Sequence, residues 1–359
     1  MKIKSNMKFC IVVGTRPQII KTQPIIHELE SQKKTFSIIH TGQHYDYEMS
    51  RSFFKELKIS KPDYNLGISK GSNTVQLADL LKKLEKTFLK IKPDVVIVPG
   101  DTRSALGAAL SANRMNLPLA HIEAGARSND FELEEEINRR LIDNCSNYLF
   151  TPTINCAKNL QNESCLGKIF NVGDTMFDVF LKYKKLLENK KPRQNFILMT
   201  IHRRQNILDK VKLKKIINLA NFISKQGFEI IFPIHPHTKK QIMNYKISLS
   251  NIKTIDPVNY SKTLSLLSQT KLLLTDSGGL QKEAYWSQTP CFTFRKSTEW
   301  IETLTSKNNQ LVTNITNNTK KQIFHILNND IKYNDKHQKN LFGNGHAAEK
   351  IISNLIKQF

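Results

Sequence analysis

The sequence predicts an α/β protein built as two doubly wound parallel sheets with helices packed on them. Three observations predict it. Short β-branched apolar runs alternate with amphipathic stretches along the whole chain, which is the rhythm of βα units. The length of 359 residues exceeds one ordinary core and suits two. Polar residues gather directly after the apolar runs, where such sheets bind ligands, beyond the carboxyl ends of their strands. No internal repeat or low-complexity linker interrupts the pattern.

Taken in order, the first strand is expected at 9–13, a five-residue apolar run closed by Gly14. Pro17 suits the first position of the following helix, where its missing N–H is not needed, and the helical pattern continues through 22–31. Strand 37–40 ends in Thr41-Gly42-Gln43-His44-Tyr45-Asp46, and a helix is expected at 74–89. Strand 95–98 precedes Pro99-Gly100-Asp101-Thr102-Arg103 and a helix at 104–114. Strand 119–121 precedes Glu123-Ala124-Gly125-Ala126-Arg127, and Glu134-Glu135-Glu136 open a helix whose dipole favours acids there. Strand 148–150 follows, and Asn171-Val172-Gly173-Asp174 closes the series. A polar stretch over 184–194 leads to the second series, with strands at 196–200, 229–232, 254–255, 272–275 and 291–294.

The composition excludes several classes. The longest apolar runs, such as Val95-Val96-Ile97-Val98, fall far short of the ~20 residues of a membrane helix. The beginning lacks a secretory core and cleavage site, so a cytoplasmic address is expected. Five scattered cysteines without a C-x-x-C pair argue against a disulfide framework and a zinc site. The formal charge of +23 admits nucleic acid, a membrane surface or an anionic substrate. The lysines lie in short groups without interleaved aromatics, so a solvated lysine-rich surface is the preferred reading.

The strand ends carry the chemistry. Arg16 stands at a helix N-terminus, a ready place for phosphate. Asp101 and Glu123 stand at the ends of neighbouring strands, backed by Arg103 and Arg127. A single carboxylate there is usually a helix cap; two fit general acid–base work better. In the second half His202-Arg203-Arg204 follows a strand and suggests an anionic ligand. His235 and His237 lack a local carboxylate or cysteine, so metal binding is not expected. The sharpest phrase is Asp276-Ser277-Gly278-Gly279, a strand running into a glycine turn and then a helix. Successive backbone N–H groups in such a turn form an anion nest suited to a diphosphate. Glu283, one helical turn on, can reach a ribose diol.

These phrases together resemble the non-hydrolysing UDP-N-acetylglucosamine 2-epimerases over nearly the full length. The matching segments are Gly14-Thr15-Arg16-Pro17, Thr41-Gly42-Gln43-His44, Gly100-Asp101-Thr102, His121-Ile122-Glu123-Ala124-Gly125, Glu135-Glu136-Ile137-Asn138-Arg139, His202-Arg203, Asp276-Ser277-Gly278-Gly279 and Phe342-Gly343-Asn344-Gly345. The resemblance implies two Rossmann-like domains of the GT-B type with the active site in the interdomain cleft. It implies an N-terminal domain of residues 1–174 completed by a C-terminal helix at 346–359, and a UDP-binding domain of residues 175–345. It implies inversion at C2 by elimination and re-addition of UDP, with neither cofactor nor metal, in glycan-precursor synthesis. The implied partner is the UDP-sugar, with no nucleic acid or membrane, and the implied state is a homodimer.

Carried over by motif, Asp101, Glu123 and Glu135 are the implied acid–base carboxylates. His202 and Arg16 steady the leaving diphosphate. Ser277, Gly278 and Gly279 cradle phosphates, and Glu283 holds the ribose. Lys21, Arg139 and His235 line the site, and Gln43 and His44 correspond to an allosteric UDP-sugar site of bacterial members. Three departures stand out. Trp300 follows Thr298-Glu299 where glucosamine-type members have arginine, and Gln18 and Gln205 replace the usual glutamates. Gln18, Gln281-Lys282-Glu283-Ala284 and Thr298-Glu299-Trp300 resemble the branch acting on UDP-2,3-diacetamido-2,3-dideoxyglucuronate. That branch is one alternative, and a GT-B glycosyltransferase is another.

Overall fold

The computed structural model describes residues 7–42, 54, 57–186, 194–305, 308–329 and 340–359. The chain divides into two compact units, Met1–Lys182 with Asn340–Phe359, and Tyr183–Lys339.

The first unit holds a seven-stranded parallel sheet. Its strands are β1 (Lys8–Val13), β2 (Thr35–His40), β3 (Tyr64–Asn65), β4 (Val95–Pro99), β5 (Leu119–Ile122), β6 (Tyr148–Thr151) and β7 (Lys168–Asn171). The spatial order is β3-β2-β1-β4-β5-β6-β7, so the winding direction reverses between β1 and β4. Both are buried almost throughout, as strands covered on both faces must be. The helices are α1 (Arg16–Ser31), α2 (Asn73–Ile91), α3 (Arg103–Arg114), α4 (Glu134–Cys145), α5 (Ile154–Asn162) and α6 (Thr175–Leu186). Arg16 is the first residue of α1, so Pro17 takes the second position; both positions lie in the first turn, whose N–H groups have no helical acceptor.

The second unit holds a six-stranded parallel sheet ordered β10-β9-β8-β11-β12-β13. These are β8 (Phe196–Thr200), β9 (Glu229–Pro233), β10 (Lys253–Ile255), β11 (Leu272–Thr275), β12 (Cys291–Thr293) and β13 (Asn309–Leu311). Here the winding reverses between β8 and β11. The helices are α7 (Arg204–Ile207), α8 (Lys210–Ser224), α9 (Pro236–Asn244), α10 (Tyr260–Gln269), α11 (Gly278–Trp286) and α12 (Asn317–Asn328). Strands β3, β7 and β13 escape sequence reading because each is a short edge strand with only partial burial.

The last helix, α13 (Ala347–Ile356), packs on α1 in the first unit. The first unit thus extends to Lys182 and resumes at Asn340, beyond the boundaries the resemblance implied at 174 and 346. Contacts between residues 173–178 and 342–348 explain the difference. Gly343 and Gly173 have φ of +90° and +100°, and a Cβ on Gly343 would lie 2.8 Å from Gly173 Cα. Only glycines allow that approach, and Asp174 N–H donates to Phe342 O at 2.9 Å. Asp178 of α6 then accepts from the N–H groups of Ala347 and Ala348, at 3.1 and 2.9 Å.

Burial pushes the Asp178 carboxyl up to about 6, against the pull of those two N–H groups. The folded state therefore holds the proton more tightly than the unfolded chain, and this contribution to stability falls as pH rises through about 4 to 6. Urea denaturation of wild type and Asp178→Asn across pH 4.5 to 7.5 checks it. The stability difference between them, wild type minus variant, is expected to shrink with rising pH; a difference independent of pH would refute it.

Candidate active site

The two reversals of strand order collect the residues that sequence reading singled out. In the first unit, Gly14 ends β1. A Cβ there would stand 2.0 Å from Ser104 Oγ and 2.2 Å from Thr41 Oγ1, so glycine alone fits. Gln18 of α1 accepts from the N–H groups of Gly14 and Thr15, and its Nε2 donates to Pro99 O at 2.8 Å. One amide side chain thus ties the end of β1 to the end of β4. A glutamate would accept as well but has no N–H for Pro99.

Asp101 follows β4 through Gly100, whose φ is +66°. Its carboxylate pairs with Arg139, and Asn138 Nδ2 donates to its carbonyl at 2.8 Å. Arg139, 3% exposed, therefore orients Asp101. Glu123 follows β5 with φ +72°, a conformation that costs a non-glycine residue about 1 kcal/mol or more. Its carboxylate lies 2.7 Å from Lys21 Nζ of α1. Gly100 faces both, since a Cβ there would be 3.1 Å from Lys21 Nζ and 4.0 Å from Glu123 Oε1. Arg16 is partly exposed at the start of α1.

The glutamate run at the start of α4 divides by burial. Glu135 is partly exposed, and its carboxylate makes no hydrogen bond or ion pair among the described residues. Glu136 is fully buried and accepts from Ser128 N–H at 2.8 Å while pairing with Arg139 and Arg140. Arg127 corrects an expectation. It does not back the carboxylates at the strand ends; it is buried against Asp143 and Glu163, at 2.7 Å from each. Burial disfavours its charge, and the two carboxylates outweigh that and hold the guanidinium above its ordinary value. Arg103 is likewise engaged, with Gln76 and Glu134. Gln43 and His44 lie outside the described residues.

In the second unit, Asp276 directly follows β11, fully buried, and organises the turn after β8. It accepts from the N–H groups of His202 and Arg203 and from Asn206 Nδ2, at 3.0 to 3.2 Å. Its Oδ1 also lies 3.3 Å from His202 Nδ1, which leaves a half-exposed imidazole in a set orientation. Ser277 caps α11 through Leu280 N–H. Among the described residues, the N–H groups of Gly278 and Gly279 in the first turn of α11 meet no acceptor, so an anion can take them. A Cβ on Gly278 would meet Glu299 Oε1 at 2.5 Å and Arg295 Nη1 at 3.4 Å. Arg295 is 6% exposed and pairs with Glu299 at 2.7 Å, yet its buried Nη1 donates to nothing among the described residues. A spare guanidinium donor therefore stands beside the nest. Sequence reading missed Arg295 because a lone arginine after a strand has no distinctive spacing.

Glu283 is buried one turn below the nest, and His235 caps α9 by accepting from His237 N–H. Trp300 is 2% exposed, with Lys282 Nζ 3.7 Å from its ring centroid; Lys282 is itself 1% exposed. The position where an arginine was expected thus holds one half of a buried cation–π pair.

The profile of the family described as UDP-N-acetylglucosamine 2-epimerase matches residues 27–356. The chain belongs to this epimerase family. A relative from Methanococcus maripaludis, called a UDP-N-acetylglucosamine 2-epimerase homolog, is 43% identical and covers 97% of this chain and 99% of its own. The UDP-2,3-diacetamido-2,3-dideoxy-D-glucuronate 2-epimerase of Pseudomonas aeruginosa is 38% identical over 98% of this chain and 100% of its own. The Methanocaldococcus jannaschii UDP-GlcNAc 2-epimerase, solved with UDP-GlcNAc and UDP, superposes with a TM-score of 0.90 at 40% identity, covering 98% and 100%. The epimerase fold, two Rossmann-like sheets of the GT-B class, is therefore that of this chain.

The Lys282–Trp300 pair gives a direct test of this epimerase's packing. Trp300→Arg sets a second buried cation beside Lys282, at a cost of about 3 kcal/mol. Adding Lys282→Glu supplies a counter-charge and is expected to restore most of that loss in urea denaturation. Equal stability of wild type and Trp300→Arg would overturn the assignment.

Proposed function

We propose that this chain inverts C2 of a UDP-N-acetylated hexosamine, in the manner of UDP-N-acetylglucosamine to UDP-N-acetylmannosamine. The observation that carries the reading is the division of chemistry between the two strand-order reversals. One gathers the carboxylates Asp101, paired with Arg139, and Glu123, paired with Lys21. The other gathers donors: the Gly278 and Gly279 N–H groups, Arg295 and His202. Proton transfer at carbon calls for the first set, and a departing diphosphate calls for the second.

In this reading a carboxylate among Asp101, Glu123 and Glu135 removes the C2 proton. The C–H electrons form the C1=C2 bond of a 2-acetamidoglucal, and the C1–O bond breaks with its pair leaving on UDP. His202, Arg16 and the nest hold that charge, and Glu283 holds the ribose. UDP then adds back at C1 while a proton is delivered to the opposite face of C2. The sum is an isomerisation whose steps move a proton and a leaving group but no hydride, so none of them calls for a nicotinamide. The reading includes a homodimer acting in the cytoplasm on precursors of surface glycans.

A second substrate is favoured by particular residues. Gln18 and the Lys282–Trp300 pair match the diacetamidoglucuronate branch, whose Pseudomonas aeruginosa member covers 98% of this chain. Its uronate needs a cation; Arg127 is committed to Asp143 and Glu163, which leaves the exposed Arg204 and the partly buried Arg203, itself 4.0 Å from Glu299, as candidates.

Incubation with each UDP-sugar in deuterium oxide, followed by proton NMR, tests the reading. Product is expected to carry deuterium at C2, without accumulating free UDP. Asp101→Asn, Glu123→Gln and Glu135→Gln are each expected to lower turnover by roughly a hundredfold or more. Product that retains its original C2 hydrogen would overturn the elimination, and transfer of the sugar to an acceptor would favour a glycosyltransferase.

A further inference from the structure

We propose that His121 and Asp143 are positioning residues that hold the turns bearing Asp101 and Glu123 in one fixed geometry. The inference rests on the assignment of those two carboxylates to proton transfer at C2.

His121 lies on β5, fully buried. Its Nε2 is 2.9 Å from Gly100 O and its Nδ1 is 2.6 Å from Asp143 Oδ1. A carbonyl oxygen only accepts, so Nε2 carries the hydrogen. Gly100 immediately precedes Asp101, so this bond fixes the peptide from which the Asp101 side chain departs. The other oxygen of Asp143 accepts from Gly125 N–H at 3.2 Å, two residues beyond Glu123. One His–Asp pair therefore reaches the backbone of both turns.

Both turns need such restraint. Gly100, Glu123 and Gly125 all adopt positive φ, at +66°, +72° and +78°. Glu123 has a Cβ and is strained there, so its conformation persists only where surrounding contacts enforce it. Gly125 has no room to shift, since a Cβ on it would stand 2.1 Å from Cys156 O. Asp143 is a firm anchor. Burial opposes its charge, but His121 and Arg127 outweigh burial and hold the carboxyl below the usual carboxylate range.

A second line of contacts runs from the same anchor to the Asp101 side chain. Arg127 joins Asp143 to Glu163, and Arg140 joins Glu163 to Glu136, at 2.7 to 3.1 Å. Arg139 then bridges Glu136 to Asp101. The backbone before Asp101 and its carboxylate are thus fixed by two ends of one network. Most of its members are buried, where ion pairs are little screened by solvent. The network explains why Asp143, Arg127 and Glu163 are arranged so closely although none stands at a strand end.

The test uses two near-isosteric variants. The glutamine nitrogen in His121→Gln falls near the imidazole Nε2 and can still donate to Gly100 O. The asparagine nitrogen in His121→Asn falls near Nδ1 and leaves Gly100 O without its donor. Turnover, KM and C2 deuterium incorporation are measured on the full chain, with thermal unfolding of each variant. His121→Asn is expected to lose roughly a hundredfold in kcat with KM within threefold of wild type. His121→Gln is expected to recover at least tenfold of that loss at a similar unfolding temperature. Equal kcat in the two variants, or a loss that follows only their unfolding temperatures, would overturn the positioning role. A wild type that exchanges no C2 hydrogen with any UDP-sugar would instead remove the reading on which the inference rests, and the inference with it.

Discussion

A parallel sheet leaves backbone groups at its carboxyl edge with no strand to pair with, and buried N–H and C=O groups must find partners elsewhere. That constraint shapes both units. Where β1 and β4 part company, Gln18 takes the Gly14 and Thr15 N–H groups and gives its own to Pro99 O. His121 gives to Gly100 O, and Asn138 gives to Asp101 O. In the second unit Asp276 collects the His202 and Arg203 N–H groups, while Thr200 and Thr275 hydroxyls join at 2.7 Å. Each side chain recruited to satisfy backbone also fixes a residue of the candidate site.

Those fixed residues then sort by charge. Asp101 pairs with Arg139, and Glu123 with Lys21. Neither partner is a floppy surface group: Arg139 is buried and Lys21 is held on α1 at 15% exposure. In the second unit the polarity is opposite. The nest, Arg295 and His202 present donors, and the buried acids Asp276 and Glu299 stand behind them. A donor backed by a buried carboxylate keeps its direction without needing the ligand to organise it, which is preorganisation for an anion. The net charge of +23 adds a general attraction for an anionic substrate, but the sign at each site is set by these local pairs.

How much of this the sequence disclosed depends on range. Strand ends and glycine turns are local, and Gly14, Gly100-Asp101, Glu123 and Ser277-Gly278-Gly279 could be read from single phrases. The short edge strands β3, β7 and β13 were not legible, because two to four half-exposed residues carry too little hydrophobic pattern. Charged side chains were legible in kind and not in partner. Arg127 looked like a companion of Glu123 because it lies four residues on. Helix α5 and the residue after it instead bring Glu163 to it, 36 residues away in sequence. The Glu134-Glu135-Glu136 run likewise gave no sign that its members would differ in burial, since only the contacts of α4 decide which side faces the sheet.

Position 300 shows why a specificity marker has to be read with its packing partner. An arginine there would be a cation beside the nest; in this chain Lys282 supplies the cation and Trp300 receives it face-on. In this chain the buried positive charge at that place is therefore carried on helix α11. Lys282 directly precedes Glu283 and lies within a turn of Gly278, so the Lys282–Trp300 pair packs against the same helix that carries the nest's N–H groups. Gln18 likewise acts on backbone, its amide donating to Pro99 O. At both positions the side chain braces backbone next to the candidate site, so a substitution there acts first on the direction of that backbone.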